Sequence, residues 1–201
     1  NSKSKIIPSQ AYLRPSINEN RSNLHTTNQL VISLGSKNHD IENLALLKLI
    51  KETELEIKDY KIIFRLHPAV SKKIMVKKIN LFEIKNVYEI EYTKNSFKFL
   101  YDMNSICISG MSGTYYDFLY LGYKTLNFDF NYQVAKKLPR VINSFLNGNQ
   151  LTQQINFCQK TTFEKWYEMT NPILKETIGM GVLEKRKTTL LEDIESEIFK
   201  N

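Results

Sequence analysis

Short apolar runs alternate with amphipathic stretches along most of the chain, and this alternation predicts its secondary structure. The apolar runs have the length of buried strands, and the stretches between them carry apolar residues at helical spacing. Residues 41–57, for example, are apolar at 41, 44, 45, 47, 50 and 57, which predicts a helix with one buried face. The predicted strands are Gln29–Leu34, Lys61–Leu66, Asn86–Tyr92, Ser105–Ser109 and Lys124–Phe128.

Helices are predicted between these strands and after the last of them. Gly122 follows the helix predicted before the fifth strand, at a position where glycine commonly ends a helix. Beyond Asn131 the pattern becomes helical throughout. The predicted helices are Ile41–Ile57, Val70–Ile79, Ser96–Met103, Gly113–Leu121, Leu151–Gln159, Thr162–Glu168 and Met180–Lys200.

This order of elements predicts the fold class and the domain organisation. Strands and helices that alternate every 20 to 30 residues or so, roughly the length of a βαβ unit, are typical of a parallel sheet with helices on both faces. We therefore expect an α/β fold, a Rossmann-like doubly wound parallel sheet over residues 29–150, with C-terminal helices over 151–201 packing on it. Residues 1–28 are polar, contain Pro8 and Pro15, and predict a linker or the end of a preceding domain. The absence of an initial Met suggests a piece of a longer protein.

Charge and cysteine content narrow the function classes. The formal net charge of +7 suits an anionic ligand, an acidic membrane surface or nucleic acid, or else reflects a lysine-rich solvated surface. No module typical of single-strand or RNA binding is visible, so we expect no nucleic-acid partner. No apolar run of about 18 residues predicts a membrane span. The two cysteines, Cys107 and Cys158, form no disulfide framework, which favours a reducing, cytoplasmic compartment.

Three polar turns follow predicted strands, where the carboxyl edge of the sheet would lie. They are Gly35-Ser36 after the first strand, His67-Pro68 after the second and Ser109–Thr114 after the fourth. Doubly wound sheets bind ligands at this edge, and a small-residue turn that opens a helix offers backbone N–H groups to an anion. We expect the three turns to converge on one nucleotide cleft; three unrelated loops are the alternative.

Individual side chains at these turns suit a phosphate or a ribose. His67 can donate a hydrogen bond to a phosphate and is a candidate stabiliser of a leaving group. Arg65 alternates with it and would either bind phosphate or pair with an acid. Asp117, one turn into the following helix, would accept hydrogen bonds from a ribose or merely favour the helix N-terminus. His25 and His39 have no comparable context and stay unassigned.

The turn after the fourth strand carries the densest set of candidates. Ser112 and Thr114 offer hydroxyl groups, while Gly110 and Gly113 allow a ligand to approach the backbone closely. Other nucleotide and catalytic motifs are absent: the sequence has no Walker loop, no G-x-G-x-x-G after the first strand and no G-x-S-x-G elbow. No His, Cys and carboxylate cluster has metal-ligand spacing, so we expect neither a metal nor another cofactor.

The run Phe64–Pro68 followed by the run Ile108–Gly122 resembles the C-terminal half of GT-B glycosyltransferases. The resemblance is to bacterial surface-polysaccharide transferases with cytidine-nucleotide donors. These include sialic-acid and Kdo transferases with an HP motif, and the teichoic-acid glycerophosphotransferases that use CDP-glycerol. It covers residues 29–130.

The resemblance implies a donor-binding set of residues. His67 and Pro68 would contact the nucleotide, and the serine-threonine turn would bind its phosphate. Asp117 stands where many GT-B proteins carry a ribose-binding Glu and is one methylene shorter, and Gly113 replaces the second serine of the common pair. Together with the turn residues singled out above, the candidate donor-binding set is Gly35, Ser36, Arg65, His67, Pro68, Ser109, Gly110, Met111, Ser112, Gly113, Thr114 and Asp117.

The implied function is donor binding in the biosynthesis of surface polysaccharide, lipopolysaccharide or capsule. The substrate would be a sugar or glycerol activated with CMP or CDP. A glycan or lipid-linked acceptor and the catalytic base would belong to an N-terminal GT-B half, so this part alone is expected to be inactive. The protein would be cytoplasmic, with peripheral association at the inner face of the membrane. A UDP-sugar 2-epimerase-like enzyme and a non-catalytic interaction domain of the same fold are the alternatives.

Overall fold

The computed structural model describes residues 28–86, 88–92, 101–102, 104–110, 113–130 and 142–177. The linker predicted over residues 1–28 lies outside them except for Asn28. Most of the helix predicted at Ser96–Met103 and all of the one predicted at Met180–Lys200 also lie outside the described residues.

Six strands form one sheet, and every neighbouring pair is parallel. Their order across the sheet is β3-β2-β1-β4-β5-β6, so the direction of winding reverses between β1 and β4. This is the strand order of doubly wound dinucleotide-binding folds, and the Rossmann-like α/β prediction is confirmed. The strands are β1 (Gln29–Leu34), β2 (Lys61–Leu66), β3 (Tyr88–Tyr92), β4 (Ile106–Ser109), β5 (Lys124–Phe128) and β6 (Ser144–Phe145).

Within the described residues, five α-helices and one 3-10 turn connect or follow the strands. The turn Lys37–His39 leads directly into the first helix. Asn147 caps the fourth helix, because its side-chain oxygen accepts a hydrogen bond from the Gln150 backbone N–H at 3.0 Å. The helices are α1 (Asp40–Glu52), α2 (Lys72–Asn80), α3 (Thr114–Tyr120), α4 (Gly148–Lys160) and α5 (Phe163–Thr177).

Three predictions from the sequence pattern were wrong in detail. The helix predicted at Thr162–Glu168 continues to Thr177 as α5. The helix predicted to reach Ile57 ends at Glu52, and the buried Ile57 reaches the core from a series of turns. The strand β6 was missed, because two residues are too few to show a period. It is formed by pairing with β5: Asn127 N–H donates to Asn143 C=O at 3.1 Å, and Asp129 N–H donates to Phe145 C=O at 2.9 Å.

The sheet is buried on both faces, as parallel sheets usually are. On one face Leu30, Ile32 and neighbouring strand residues pack against the apolar sides of α1, α2 and α4. On the other face Val31, Ile63 and Cys107 pack with Phe118 of α3 and its neighbours. The chain moves in opposite directions across the sheet after β1 and after β4, and parallel crossovers are right-handed, so α1 and α3 lie on opposite faces. Within the described residues, no helix is both long and apolar enough to cross a membrane.

The C-terminal helices are attached to the sheet by specific hydrogen bonds. Lys124, at the start of β5, donates through Nζ to the carbonyl oxygens of Cys158 and Thr161 at 2.7 and 2.6 Å. It thereby pairs with the C-terminal end of α4, where a cation is favourable. Trp166 of α5 is buried and donates through Nε1 to the Tyr123 carbonyl at 3.1 Å. These bonds join α4 and α5 to the edge where β5 begins.

Arg65 forms a buried ion pair across β2 and β3. Its Nη1 donates to Glu91 Oε1 at 2.7 Å and to the Tyr101 hydroxyl oxygen at 3.1 Å. The Tyr101 hydroxyl itself donates to Glu91. The Arg65 side chain is 7% exposed and the Glu91 side chain 25%. Of the two roles that the sequence left open for Arg65, the structure places it in the pair with an acid.

We expect Arg65→Met to lower the free energy of unfolding by about 3 kcal/mol, because it leaves Glu91 in a largely buried site without its counter-charge. Chemical denaturation monitored by circular dichroism measures the change. The matched control is Lys61→Met, which removes the pair with Glu89 on the same two strands. Its side chains are 36% and 60% exposed, so the loss should stay below about 1 kcal/mol. Equal losses in the two variants would contradict a special role for Arg65.

Candidate functional site

The candidate site lies where the winding of the sheet reverses. β1 is flanked by β2 and β4, so the three polar turns singled out in the sequence follow three adjacent strands. Because α1 and α3 leave β1 and β4 toward opposite faces, a crevice opens between their starting points. Ligands of open α/β sheets bind in such a crevice.

The crevice between β1 and β4 holds a small cavity. Its volume is about 10 Å³, which is close to the space that one water molecule needs. Polar groups from both strand ends and from α1 surround it, and Leu46 contributes apolar surface. The lining residues are Ser33, Gly35, His39, Glu42, Asn43, Leu46 and Gly110.

His39 and Glu42 form an imidazole–carboxylate pair inside this crevice. His39 Nδ1 and Glu42 Oε2 are 2.9 Å apart. The Glu42 side chain is 8% exposed, whereas the His39 side chain is 33% exposed and reaches the surface. Glu42 lies in the first turn of α1, where a negative charge is favourable. The pair is thus buried at its carboxylate end and accessible at its imidazole end.

Two glycines make room for this pair. A Cβ at Gly35 would lie 2.8 Å from His39 Cβ, and a Cβ at Gly110 would overlap the Glu42 carboxylate. The sequence predicted that Gly110 admits a phosphate to the backbone. In the structure Glu42 occupies the space beside its Cα, so the lack of a side chain is explained by packing. Contact of Gly110 with a phosphate stays a prediction.

The turn after β1 is held by Asn43. Its Oδ1 accepts from the Gly35 N–H at 2.8 Å and its Nδ2 donates to the Gly35 carbonyl at 3.1 Å. The Ser36 carbonyl accepts from the His39 N–H at 2.9 Å. The Gly35 N–H is therefore used inside the protein. The predicted contact of Gly35 and Ser36 with a nucleotide-activated substrate has to involve other atoms.

His67 follows β2, and one of its ring nitrogens is used in a hydrogen bond within the protein. Its Nδ1 accepts a hydrogen bond from the Ala69 N–H at 3.1 Å, so the ring hydrogen of the neutral imidazole lies on Nε2. Burial lowers the pKa of His67, and the nearby charge of His39 lowers it further. Pro68 is exposed and its carbonyl accepts from the Tyr92 hydroxyl at 3.2 Å. His67 can thus act as a hydrogen-bond donor through Nε2 without carrying charge.

The turn after β4 is described in part. Met111 and Ser112 lie outside the described residues. Ser109 is fully buried, and its hydroxyl donates to the Gly110 carbonyl at 3.3 Å. Gly113 is exposed and precedes α3, a helix of seven residues without a side-chain cap. Thr114 and Asp117 are half-buried, and each already has an interaction partner. Their roles toward a phosphate and a ribose stay predictions.

A row of polar residues crosses the whole sheet one position before or at the carboxyl ends of its strands. The Arg65 end of the row is paired with Glu91, as described above. Asn127 on β5 differs: it is fully buried, and neither atom of its side-chain amide has a hydrogen-bond partner among the described residues. In register across the sheet the row reads Glu91, Arg65, Ser33, Ser109, Asn127 and Ser144.

Sequence reasoning missed four residues of this region. Asn43 and Asn127 carry no local signal, because an isolated Asn in a helix or strand is common. His39 and Glu42 do carry one: they are three residues apart at the start of a helix, immediately after the polar turn of β1. Within the described part of the chain, no group of three His, Cys, Asp or Glu side chains could hold a metal ion.

Comparison with known proteins adds one distant structural neighbour. No protein-family model and no curated protein matches the chain. The chain is similar to a solved structure of accessory secretory protein 1, 2 and 3 in Streptococcus pneumoniae, with 15% sequence identity and a TM-score of 0.52. The match covers 83% of this chain and 35% of the other. This chain thus corresponds to about a third of that protein's length, and the likeness supports the fold alone.

We expect Gly110→Ala to lower the free energy of unfolding by about 1–3 kcal/mol, because the new methyl group displaces the buried Glu42 carboxylate. The matched control is Gly113→Ala in the same turn. A Cβ there meets nothing within 4 Å, and Gly113 has helical backbone angles with φ of −56°. This variant should be neutral or slightly stabilising. Urea denaturation of both measures the difference; equal effects would show that Glu42 does not fill the space beside Gly110.

We expect Asn127→Leu to raise the free energy of unfolding by about 1–3 kcal/mol, since it replaces an unpartnered buried amide by an apolar group of similar shape. Asn86→Leu is the control. Asn86 is also buried, but its Nδ2 donates to the Ile57 carbonyl at 2.9 Å, so the same substitution there should destabilise. Thermal and urea denaturation compare the two. A destabilised Asn127→Leu would mean that an ordered water satisfies the amide.

Proposed function

We propose that this chain is the donor-binding part of a glycosyltransferase-like protein that takes a CMP- or CDP-activated sugar or glycerol. The observation that carries the proposal is the adjacency of β2, β1 and β4, which brings the three polar turns to one edge of the sheet. Neighbouring strands are about 4.8 Å apart, so the turns after β2 and β4 are separated by about 10 Å. A nucleotide phosphate with its ribose extends over a comparable length.

Charge and hydrogen bonding support an anionic ligand at this edge. His67 has an Nε2 hydrogen to donate to a phosphate oxygen, since its Nδ1 accepts from the Ala69 N–H. The backbone after β4 approaches the same crevice from the other side of β1, and the chain carries a net charge of +7. The turns after β2 and β4 belong to the two runs, Phe64–Pro68 and Ile108–Gly122, by which the sequence resembles GT-B transferases.

The rest of the reaction would depend on parts of a longer protein. A glycan or lipid-linked acceptor and the catalytic base would be supplied by another GT-B half. We expect the transfer reaction to take place in the cytoplasm, at the inner face of the membrane, without a metal or nucleic acid. A preference for UDP over the cytidine nucleotides would instead favour a UDP-sugar 2-epimerase-like enzyme.

A non-catalytic interaction domain of the same fold is the second candidate. The buried Glu42 carboxylate favours it, because a negative charge beside Gly110 opposes a phosphate placed directly in the crevice between β1 and β4. The small cavity there, of about 10 Å³, leaves no space for one without movement. The structural neighbour is described as accessory secretory protein 1, 2 and 3, words that name a role in secretion and no transfer reaction.

Calorimetric titration with CMP, CDP and UDP tests the proposal. We expect the cytidine nucleotides to bind more tightly than UDP, and His67→Ala to weaken their binding about tenfold through loss of a hydrogen bond to phosphate. His25→Ala, which changes a histidine that no predicted turn or site includes, is the control and should bind like the unchanged chain. No heat of binding at millimolar nucleotide, with the fold intact by circular dichroism, would overturn the proposal in favour of the interaction domain.

A further inference from the structure

The His39–Glu42 pair is more buried, and more closely surrounded by other chain segments, than a surface ion pair. Both glycines at the ends of β1 and β4 leave space for it, and Asn43 holds the turn from which His39 projects. For comparison, Lys48 and Glu52 on the same helix form a pair at 3.7 Å with side chains 71% and 59% exposed. Gly110 thus lies against Glu42 and Gly35 against His39, while the His39 side chain is 33% exposed.

The hydrogen bond to Glu42 determines which His39 nitrogen can meet a ligand. Nδ1 is 2.9 Å from Glu42 Oε2 and carries a hydrogen toward it, since a carboxylate only accepts. Nε2 is then the atom left for a ligand. A carboxylate behind an imidazole fixes the orientation of the ring and stabilises the imidazolium when it forms. Glu42 therefore acts on a bound group through His39, which lies between the carboxylate and that group.

His67 offers a second imidazole from the neighbouring strand end. Its Nδ1 is also used inside the protein, by the Ala69 N–H, and its Nε2 is left with a hydrogen. The two rings are near enough for the charge of His39 to lower the pKa of His67. In both rings Nδ1 is used inside the protein, and Nε2 is the nitrogen left for a ligand.

Two other basic side chains near this edge, Arg65 and Lys78, are already engaged. Lys78 of α2 pairs with Asp40 of α1 at 2.7 Å, and Arg65 pairs with Glu91 at 2.7 Å. Neither basic side chain is thereby left to dominate the binding of an anion here. The two imidazoles are the groups whose free nitrogens lie at adjacent strand ends.

We propose that His39, positioned by Glu42, binds the donor phosphate together with His67, so that two imidazoles bracket the phosphate at the ends of β1 and β2. The inference rests on the proposed function, since it names further residues of the same donor site. It makes His39 a ligand-binding residue and Glu42 a positioning residue. It also removes the conflict between Glu42 and an anion, because Glu42 meets the phosphate only through the His39 ring.

Titration with CDP as the probe compares the unchanged chain with His39→Gln, Glu42→Gln and the control Glu52→Gln. We expect His39→Gln to weaken CDP binding about tenfold, through the loss of its hydrogen bond to the phosphate. Glu42→Gln should weaken it several-fold although His39 is still present, because the His39 ring loses the carboxylate that orients it. Glu52→Gln removes an exposed carboxylate from the same helix and should leave the affinity unchanged.

Imidazole nitrogen NMR on the unchanged chain provides a readout that does not depend on the variants folding. The chain has three histidines, so single substitutions assign each ring. CDP should shift the Nε2 resonances of both His39 and His67. If CDP binds and His67 responds while His39 does not, and His39→Gln binds like the unchanged chain, the inference is wrong and the proposed function stands. If CDP, CMP and UDP all fail to bind, both are wrong.

Discussion

The parallel hydrogen bonding of β1 to β2 on one side and to β4 on the other organises the whole molecule. β1 is central and apolar on both faces, so burying it requires helices above and below the sheet. From β1 the chain continues to β2 on one side of the sheet, and from β4 it continues to β5 on the other side. The helices α1 and α3, which follow β1 and β4, therefore diverge. The crevice, its lining and its accessibility all follow from this one reversal.

Inside the crevice, packing and electrostatics act together. Gly35 and Gly110 lack side chains where His39 and Glu42 need space, and the turn that carries His39 is held by Asn43. The result is a carboxylate kept away from water at one end of a hydrogen bond and an imidazole that reaches solvent at the other.

Polar residues at the carboxyl ends of the strands have different structural roles, although the sequence pattern does not distinguish them. Arg65 meets Glu91 and Tyr101 and becomes part of the sheet's structure. Ser109 bonds within its own turn, whereas Asn127 is buried without a partner in the described part of the chain. Which of these occurs depends on residues far away along the chain. Local pattern therefore located the polar edge without distinguishing binding from structural roles.

The sequence by itself determined the fold class, five of the six strands and the edge at which the polar turns meet, because burial periodicity and turn residues act locally. Only the tertiary structure decided the two-residue β6, which exists through its pairing with β5, and the end of α1 at Glu52. It also decided that His39, unassigned in the sequence, lies against Glu42 in the crevice and near His67. Such contacts depend on which strands become neighbours, and that order is set by the packing of the whole sheet.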